Sequence, residues 1–366
     1  MSFARQVAIA ELIQSLRTGY EQTSIDVIAR EGDIDPRMAS WALTSTLQAY
    51  SLDAIESVSD GRYRGERVAV LLAETVPVAS LRAIALPYLA GAREIVIRPP
   101  RTTPEFTRLV AVLLTRYDPM SPVILDDARG PEFVASLATR GTDRLIAFGS
   151  DATIDTLVET APDGIAVEGH GHGFGIAVLS ERAVLGATAA LALARDIVAY
   201  EQRGCLSPQC VFVHGTDARP TAEALHRALE AIAQTWPAPP VPQDAALGLQ
   251  AWAGAIGAAS QAVYRAAPTH HDRLFGGGDH VVAALEETRL ASSPGHRRIA
   301  VVPFADLDAL RRAIAGNEHH ITVVASDGAA PLVPLLGPVR RVELGAMQTP
   351  PLDGWEDPRP PTVTRR

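Results

Sequence analysis

The fold of this chain follows from the sequence ALARDIVAYEQRGCLSPQCVFV at residues 192–213, which predicts a helix, a tight turn and a buried strand. Apolar residues recur at helical spacing as far as Tyr200. Glycine commonly follows a helix end, so the helix is expected to stop at Arg203-Gly204. Pro208 prevents the helix from resuming, and the apolar residues 211–213 are typical of a buried strand.

Cys205 falls in this predicted turn, directly after a glycine that leaves room for a substrate. A thiol in such a turn is a candidate nucleophile. An unmodified cysteine is also a common small residue of protein cores, and the spacing alone leaves both interpretations open. Cys210 lies on the strand side and is predicted to be structural.

Two motifs resemble one known family. The pattern D-x-x-x-Y-E-Q-x-G-C-L-S-P-Q at residues 196–209 resembles the cysteine segment of the acyl-CoA reductase (LuxC-type acyl-protein thioester reductase) family, a branch of the aldehyde dehydrogenase superfamily. Residues 337–355 resemble the Gly, Arg, Met, Pro and Trp spacing near the family's C-terminus. The resemblance implies that Cys205 takes an acyl group as a thioester, which NADPH reduces to an aldehyde. By analogy, Met347 and Trp355 are candidate walls of the acyl entrance.

Composition limits the class of protein. A chain of 366 residues is long enough for at least two domains. The net charge of −9, without a basic stripe, argues against nucleic acid as a partner. Two cysteines indicate a reducing compartment, and the sequence shows neither a signal peptide nor an apolar run long enough to span a membrane. These features predict a cytoplasmic protein.

Strands and helices alternate along most of the chain, which predicts an α/β fold with a doubly wound parallel sheet. The strands are predicted at 68–72, 94–98, 122–125, 144–148, 298–303, 321–325 and 339–344. The helices are predicted at 5–17, 36–58, 78–90, 104–116, 131–139, 151–159, 221–233, 245–266 and 307–315.

The resemblance adds an aldehyde dehydrogenase-like arrangement, in which a cofactor domain precedes an α/β catalytic domain. The expected division is a helical leader at 1–60, an NADP-binding Rossmann-like domain at 61–175, a catalytic cysteine domain at 176–345, and a C-terminal segment with a disordered tail at 346–366.

The cofactor is predicted from the loops that follow the strands, where ligands bind in such sheets. Arg98-Pro99 resembles the superfamily's Lys-Pro, whose lysine contacts the adenosine ribose, and Arg101 replaces a ribose-binding glutamate. Exchanging that carboxylate for a guanidinium favours a phosphate ligand and therefore NADPH. In isolation both arginines would be ordinary solvated loop residues. Gly149 and Ser150 resemble the Gly-Ser turn that binds the pyrophosphate, although Ser150 is also suited to be a helix cap.

Residues 167–175 form a glycine- and histidine-rich segment, in which Glu168, His170 and His172 are candidate bases for the cysteine thiol. A metal site made by the His-x-His pair lacks a third ligand at convincing spacing, so no metal is predicted. A glycine-rich loop without a chemical role is the other interpretation.

We therefore expect a reductase in which Cys205 attacks an acyl-CoA, an acyl carrier or another acyl-protein, with an acyl-transferring protein as a candidate partner. The backbone N–H of Cys205 and Thr75 would stabilise the oxyanion, since Thr75 stands where the superfamily has an asparagine. One alternative is aldehyde oxidation, with Glu168 activating water. A second is a non-catalytic homologue that binds nucleotide or acyl carrier, and self-association stays open.

Overall fold

The computed structural model describes residues 2–102, 104–120, 122–180, 185–241, 243–265, 280–328, 337–355, 357–359 and 361–363. The chain divides into two compact units. The first unit is Met1–His172 with Thr349–Glu356 and Pro360–Arg366, and the second is Gly173–Gln348 with Asp357–Arg359. The division between His172 and Gly173 lies close to the border predicted after residue 175.

The described part of the first unit contains one mixed sheet. Its strands are β1 (Arg67–Leu71), β2 (Glu94–Arg98), β3 (Val123–Leu125), β4 (Arg144–Phe148), β5 (Ala166–His170) and β13 (Thr362–Val363). The strand order is β13-β5-β4-β1-β2-β3, with β1 to β5 parallel. The chain runs outward from β1 to β3 and then returns to lay β4 beside β1, which confirms the predicted doubly wound sheet.

The helices of this unit explain why its strands are apolar on both faces. They are α1 (Ser2–Thr18), α2 (Glu21–Gly32), α3 (Pro36–Gln48), α4 (Leu52–Ser57), α5 (Ala79–Leu89), α6 (Pro104–Tyr117), α7 (Gly130–Thr139) and α8 (Asp151–Thr160). Phe133 and Leu137 of α7, with Ile154 and Leu157 of α8, pack in one core with Ala69, Val96 and Leu145 of the sheet. A strand covered in this way gains from apolar side chains throughout its length.

Two predictions about the leader are corrected. The helix expected at 36–58 is interrupted, because Ser51 accepts a hydrogen bond from the N–H of Ala54 and thereby caps a new helix, α4. The leader is also part of the first unit, rather than a domain of its own. The Arg5 guanidinium, which is buried, donates to the carbonyls of Tyr88 (2.6 Å) and Ala92 (2.8 Å) and so connects α1 to the end of α5.

The tail is not disordered throughout, contrary to the prediction. Thr362 and Val363 pair antiparallel with Gly169 and Glu168 of β5. Without this short strand, β5 would be a sheet edge with unpaired N–H and C=O groups.

The second unit contains a seven-stranded sheet within its described residues. Its strands are β6 (Phe174–Leu179), β7 (Pro208–His214), β8 (Ser260–Arg265), β9 (Val281–Leu285), β10 (Arg298–Phe304), β11 (Ile321–Ser326) and β12 (Arg340–Glu343). The order is β12-β11-β6-β7-β10-β9-β8, and every pairing is parallel except that of β8 with β9. The start of β7 is thus held between two parallel neighbours, β6 and β10.

The helices of the second unit are α9 (Ala187–Val198), α10 (Arg219–Ala233), α11 (Gln243–Ala258) and α12 (Leu307–Ile314), with 3-10 helices at Ala199–Gln202 and Glu318–His320. The helix predicted at 245–266 is wrong beyond Ala258, where β8 begins after one residue. Val263 and Tyr264 pair with Ala283 and Val282 of β9, so a strand partner that follows later in the chain decides this segment. The segment 268–280, which contains a histidine pair and a run of three glycines, lies outside the described residues except for His280.

Candidate active site

Cys205 lies in a tight turn between the 3-10 helix at Ala199–Gln202 and β7. The N–H of Ser207 donates to the carbonyl of Gly204 (3.0 Å), so Cys205 and Leu206 are the central residues of a β-turn. The Thr322 hydroxyl, on β11, donates to the carbonyl of Cys205 (2.6 Å). Cys205 is partly exposed. The turn therefore fixes the backbone of Cys205 while leaving the residue accessible.

The preceding helix ends earlier than predicted. It stops at Val198, and Tyr200, Glu201 and Gln202 have left-handed backbone conformations with φ of 53°, 54° and 63°. Gly204 is therefore not the glycine that ends the helix. Left-handed conformations are unusual for residues other than glycine and persist only where surrounding contacts impose them.

The two motifs that resemble the acyl-CoA reductase family meet around the carboxyl group of Asp196. This group accepts hydrogen bonds from the backbone N–H of Gly345 (2.6 Å) and of Met347 (3.1 Å). The Gln348 side-chain amide donates to the carbonyl of Asp196 (3.2 Å) and to the Ser207 hydroxyl (3.3 Å). The second motif thus holds the turn that carries Cys205.

Met347 is fully buried, so it packs beneath this turn and does not line an open channel. A Cβ atom added at Gly175 would lie 2.4 Å from the Met347 methyl carbon and 2.8 Å from the carbonyl oxygen of Leu206. Only glycine fits at this position of β6, because the cysteine turn and the second motif both approach its backbone.

Asp196 has an unusual protonation equilibrium. Burial raises its pKa to about 7, and the backbone hydrogen bonds, which favour the carboxylate, oppose that shift without cancelling it. The proton on this carboxyl group therefore exchanges near neutral pH.

The second cysteine behaves differently. Cys210 lies on β7 and is fully buried, and burial raises the pKa of its thiol to about 12. A thiol in that state is a poor nucleophile. The structure thereby agrees with the prediction that Cys210 is structural.

In the first unit, Glu168 and His170 belong to strand β5, not to a loop. The carboxylate of Glu168 accepts hydrogen bonds from the Trp355 indole N–H (3.0 Å) and from the Tyr63 hydroxyl (3.3 Å), and Arg144 lies 3.8 Å away. Burial raises the pKa of Glu168, but His170, Trp355 and Arg144 outweigh burial and hold the pKa below its ordinary value. This carboxylate is therefore a weak base.

The two histidines differ in exposure. The ring of His170 is buried and stacks on Phe148, with 4.8 Å between ring centroids, while its Nε2 lies 3.6 Å from a Glu168 oxygen. His172 lies in the segment between β5 and β6 and is exposed, and its backbone N–H donates to the Asp151 carboxylate (2.7 Å). Of the three candidate bases, His172 alone is open to solvent.

Trp355, the other candidate wall, also packs within the first unit. Its ring lies 5.3 Å from that of Phe148 and 5.6 Å from that of His170, measured between centroids.

The glycines of this segment have a packing role. A Cβ atom at Gly169 would lie 2.2 Å from a methyl group of Ile154, and one at Gly171 would lie 2.2 Å from Oδ1 of Asp151. Both neighbours are on α8. The glycines therefore let α8 pack directly on the backbone of β5 and of the segment that follows it.

Ser150 caps the amino end of α8. Its hydroxyl oxygen accepts a hydrogen bond from the N–H of Thr153 (3.2 Å), and the N–H of Gly149 donates to the carbonyl of His170 (3.2 Å). These contacts explain both residues as parts of the fold, and pyrophosphate binding by them stays a prediction.

A cluster of arginines follows strands β2 and β3. The Arg98 guanidinium lies over the Phe133 ring (5.5 Å to the centroid) and donates from Nε to the carbonyl of Ala128 (3.3 Å). Arg129, which the sequence interpretation missed, donates to the same carbonyl (3.2 Å) and to that of Pro99 (3.1 Å). Burial and the positive charges of Arg129 and Arg101 lower the pKa of Arg98. Because Arg129 follows a strand of a doubly wound sheet, its position could have identified it.

Thr75 and Arg101 are both exposed, in the loops after β1 and β2. The sequence interpretation missed Glu74, which directly precedes Thr75. Its carboxylate accepts hydrogen bonds from the N–H of Arg101 (3.3 Å) and the hydroxyl of Thr102 (3.4 Å). Glu74 therefore fixes the Arg101 loop and partly balances its positive charge.

Among the residues that the structure describes, no helix is long and apolar enough to cross a membrane. No group of three or more His, Cys, Asp or Glu side chains there is arranged to hold a metal ion.

Comparison with known proteins shows a matching family profile and several solved structures of similar fold. The acyl-CoA reductase (LuxC) family profile matches residues 68–348, more than half of the sequence. A methylmalonate-semialdehyde dehydrogenase from Oceanimonas doudoroffii has a similar structure (TM-score 0.69, 14% identity, 94% of this chain and 78% of that chain). A NAD-dependent benzaldehyde dehydrogenase from Corynebacterium glutamicum is also similar (TM-score 0.69, 15% identity, 94% of this chain and 81% of that chain). A 3,6-anhydro-L-galactose dehydrogenase in complex with NAP has a TM-score of 0.67 and 14% identity, and the match covers 94% of this chain and 79% of that chain. Curated protein sequences gave no match.

The Asp196→Asn variant tests the buried carboxyl group. An amide N–H would face one backbone N–H, so we expect a loss of about 1–3 kcal/mol in the free energy of unfolding. Between about pH 4 and 7 the unfolded wild type releases the proton that the folded protein keeps, so wild-type stability falls as pH rises. The deficit of the variant should therefore be larger near pH 5 than near pH 8 in urea unfolding. A deficit that grows with pH would contradict the raised pKa.

Proposed function

Because the chain belongs to the acyl-CoA reductase (LuxC) family, we propose that it reduces an acyl thioester to an aldehyde with NADPH, through a thioester on Cys205. The observation that carries the proposal is the Cys205 turn, which combines a partly exposed residue with a backbone held by Thr322. A 3,6-anhydro-L-galactose dehydrogenase of similar fold is in complex with NAP, which supports a nicotinamide cofactor for this chain.

The proposed chemistry begins at the Cys205 sulfur. The thiolate attacks the carbonyl carbon of the acyl donor, the bond between that carbon and the donor sulfur breaks, and the donor leaves as a thiol after taking a proton. The acyl donor is acyl-CoA or an acyl-carrying protein. The cofactor, when bound, supplies the hydride that reduces the acyl carbonyl carbon. The bond to Sγ then breaks, the aldehyde leaves and the Cys205 thiolate is restored.

The oxyanion that forms during attack needs hydrogen-bond donors. We assign this role to the backbone N–H of Cys205 and to the Thr75 hydroxyl. The Thr75 hydroxyl supplies one hydrogen-bond donor. Because the threonine side chain is short, its contact with the oxyanion would depend on the path of the exposed loop after β1.

His172 is the residue we assign to deprotonate the thiol. Glu168 is committed to Trp355 and Tyr63 with a lowered pKa, and His170 is buried against Phe148. An exposed imidazole can take the thiol proton, give it up to the departing donor sulfur, and exchange protons with water. The state of Glu168 also disfavours the alternative of aldehyde oxidation, in which this carboxylate would activate water.

For the cofactor, Arg98, Arg101 and Arg129 form a donor set suited to a phosphate. Arg98 and Arg129 are oriented by a shared acceptor, the carbonyl of Ala128. Their mutual repulsion would be relieved by an anion, so the 2′-phosphate of NADPH is the proposed ligand. Pro99 orients Arg129 through its carbonyl, and Gly149 and Ser150 are proposed near the pyrophosphate.

The Cys205→Ala variant tests the reaction itself. Aldehyde formation from acyl-CoAs of several chain lengths with NADPH should fall by roughly 10³-fold or more, because the nucleophile is lost. A Cys210→Ala variant serves as the matched control and should keep its activity. Activity that survives in Cys205→Ala would contradict the covalent mechanism.

The Arg129→Gln variant tests the phosphate site. Loss of one charge-assisted contact should weaken NADPH binding by about 10- to 100-fold and leave NADH binding nearly unchanged. Fluorescence titration of both dinucleotides measures the two affinities without catalysis. Wild-type protein that binds NADPH and NADH equally well would rule out the proposed preference.

The His172→Gln variant tests the base. Acylation of Cys205 should slow by roughly 10²-fold near pH 7 and recover near pH 9, where the thiolate forms without a base. His170→Gln is the control, and a larger loss in that variant would move the role to His170. A wild-type rate for His172→Gln at pH 7 would remove His172 from the mechanism.

A further inference from the structure

Two segments with left-handed backbone conformations contact each other, and the first of them directly precedes the Cys205 turn in the chain. The first is Tyr200–Gln202, and the second comprises Gly295, His296 and Arg297, with φ of 82°, 52° and 61°. The N–H of His296 donates to the carbonyl of Glu201 (3.1 Å), so the two segments are joined through their backbones. Five of these six residues are not glycine, and such residues rarely adopt this conformation unless tertiary contacts impose it.

The tertiary contact that joins the side chains of these two segments is a bidentate ion pair between Glu201 and Arg297. Nε of Arg297 lies 2.9 Å from one carboxylate oxygen and Nη2 lies 2.5 Å from the other. Both side chains are only 2% exposed. The remaining Nη1 donates to the carbonyl of Trp236 (2.8 Å), which satisfies the guanidinium without solvent.

Gln202 extends the contact to the strands on either side. Its side-chain oxygen accepts from the N–H of Arg298 (3.1 Å), and its amide nitrogen donates to the carbonyls of Arg298 (3.1 Å) and Pro208 (2.7 Å). Arg298 begins β10 and Pro208 begins β7, which are neighbours in the sheet. The residues before Cys205 are thus fastened to the first residue after the turn.

A buried ion pair usually adds little stability compared with apolar residues of similar volume, because both charges lose their hydration. A pair that fixes an otherwise unfavourable backbone path contributes to geometry as well as to stability, since apolar residues could not impose left-handed conformations. We propose that Arg297 is a positioning residue, which acts through Glu201 to set the backbone path that presents Cys205 to the acyl donor. This role rests on the proposed function of Cys205.

Arg297→Gln removes the fork and leaves the Glu201 carboxylate buried without its partner. The maximal rate of Cys205 acylation by acyl-CoA should fall at least tenfold, while the concentration that gives half the maximal rate stays within twofold. A binding residue would show the opposite split. The double variant Glu201→Gln with Arg297→Gln restores a neutral, hydrogen-bonded pair and should recover part of the rate. Arg297→Lys, which keeps the charge without the bidentate geometry, should fall between wild type and Arg297→Gln.

The second cysteine provides a control for general loosening. Cys210 is fully buried on β7, so its alkylation rate reports opening of the sheet and should stay at the wild-type value in Arg297→Lys. Leu310→Ala, in the core of the second unit, provides a variant with lowered melting temperature and an intact cysteine turn. If Leu310→Ala slows acylation as much as an Arg297 variant of equal melting temperature, Arg297 acts only on stability and the inference fails.

The other outcomes separate this inference from the proposed function. A wild-type acylation rate in folded Arg297→Gln or Arg297→Lys would overturn the positioning role and leave the reductase proposal intact. If no acyl-CoA or acyl-carrier donor acylates the wild-type protein, the proposed function fails and this inference fails with it. If Arg297→Gln does not fold, the acylation rates of Arg297→Lys and of the double variant, each compared with wild type, decide whether Arg297 has the positioning role.

Discussion

The buried carboxyl group of Asp196 connects segments that lie 149 residues apart in the chain. It holds the N–H groups of Gly345 and Met347, and Gln348 in turn reaches the Ser207 hydroxyl in the turn that carries Cys205. The cysteine turn has no helix or strand of its own to define it. Its shape depends on side chains that bond to backbone groups of β6, β7 and β10, and Thr322 of β11 bonds to the carbonyl of Cys205 itself. Asp196 anchors the segment that carries Gln348.

This dependence explains why the two motifs occur together. Residues 196–209 contain the proposed nucleophile, Cys205, together with hydrogen-bond acceptors, and residues 337–348 supply the donors that bind these acceptors. Gly175 completes the arrangement, because a side chain there would displace both Met347 and the carbonyl of Leu206. In this chain the two motifs thus form a set of contacts within the second unit, in addition to supplying a cysteine.

The sequence predicted the strands of the first sheet to within one residue at β1 to β4, because alternation of apolar strands and amphipathic helices is a local signal. It missed the left-handed residues before Cys205, which depend on Arg297 at a separation of 96 residues. It missed β8, which forms only because β9 offers a partner. It assigned Glu168 and His170 to a loop because Gly169 weakens a strand pattern, whereas the contact with Ile154 requires that glycine. Local patterns therefore defined the sheet, and distant contacts defined the candidate site.

Intact-protein mass spectrometry after incubation with acyl-CoAs of graded chain length tests the central claim most directly. The account predicts a mass increase equal to the acyl group, absent from the Cys205→Ala variant and discharged when NADPH is added. An adduct that persists in the Cys205→Ala variant, or one that NADPH leaves in place, would contradict the account.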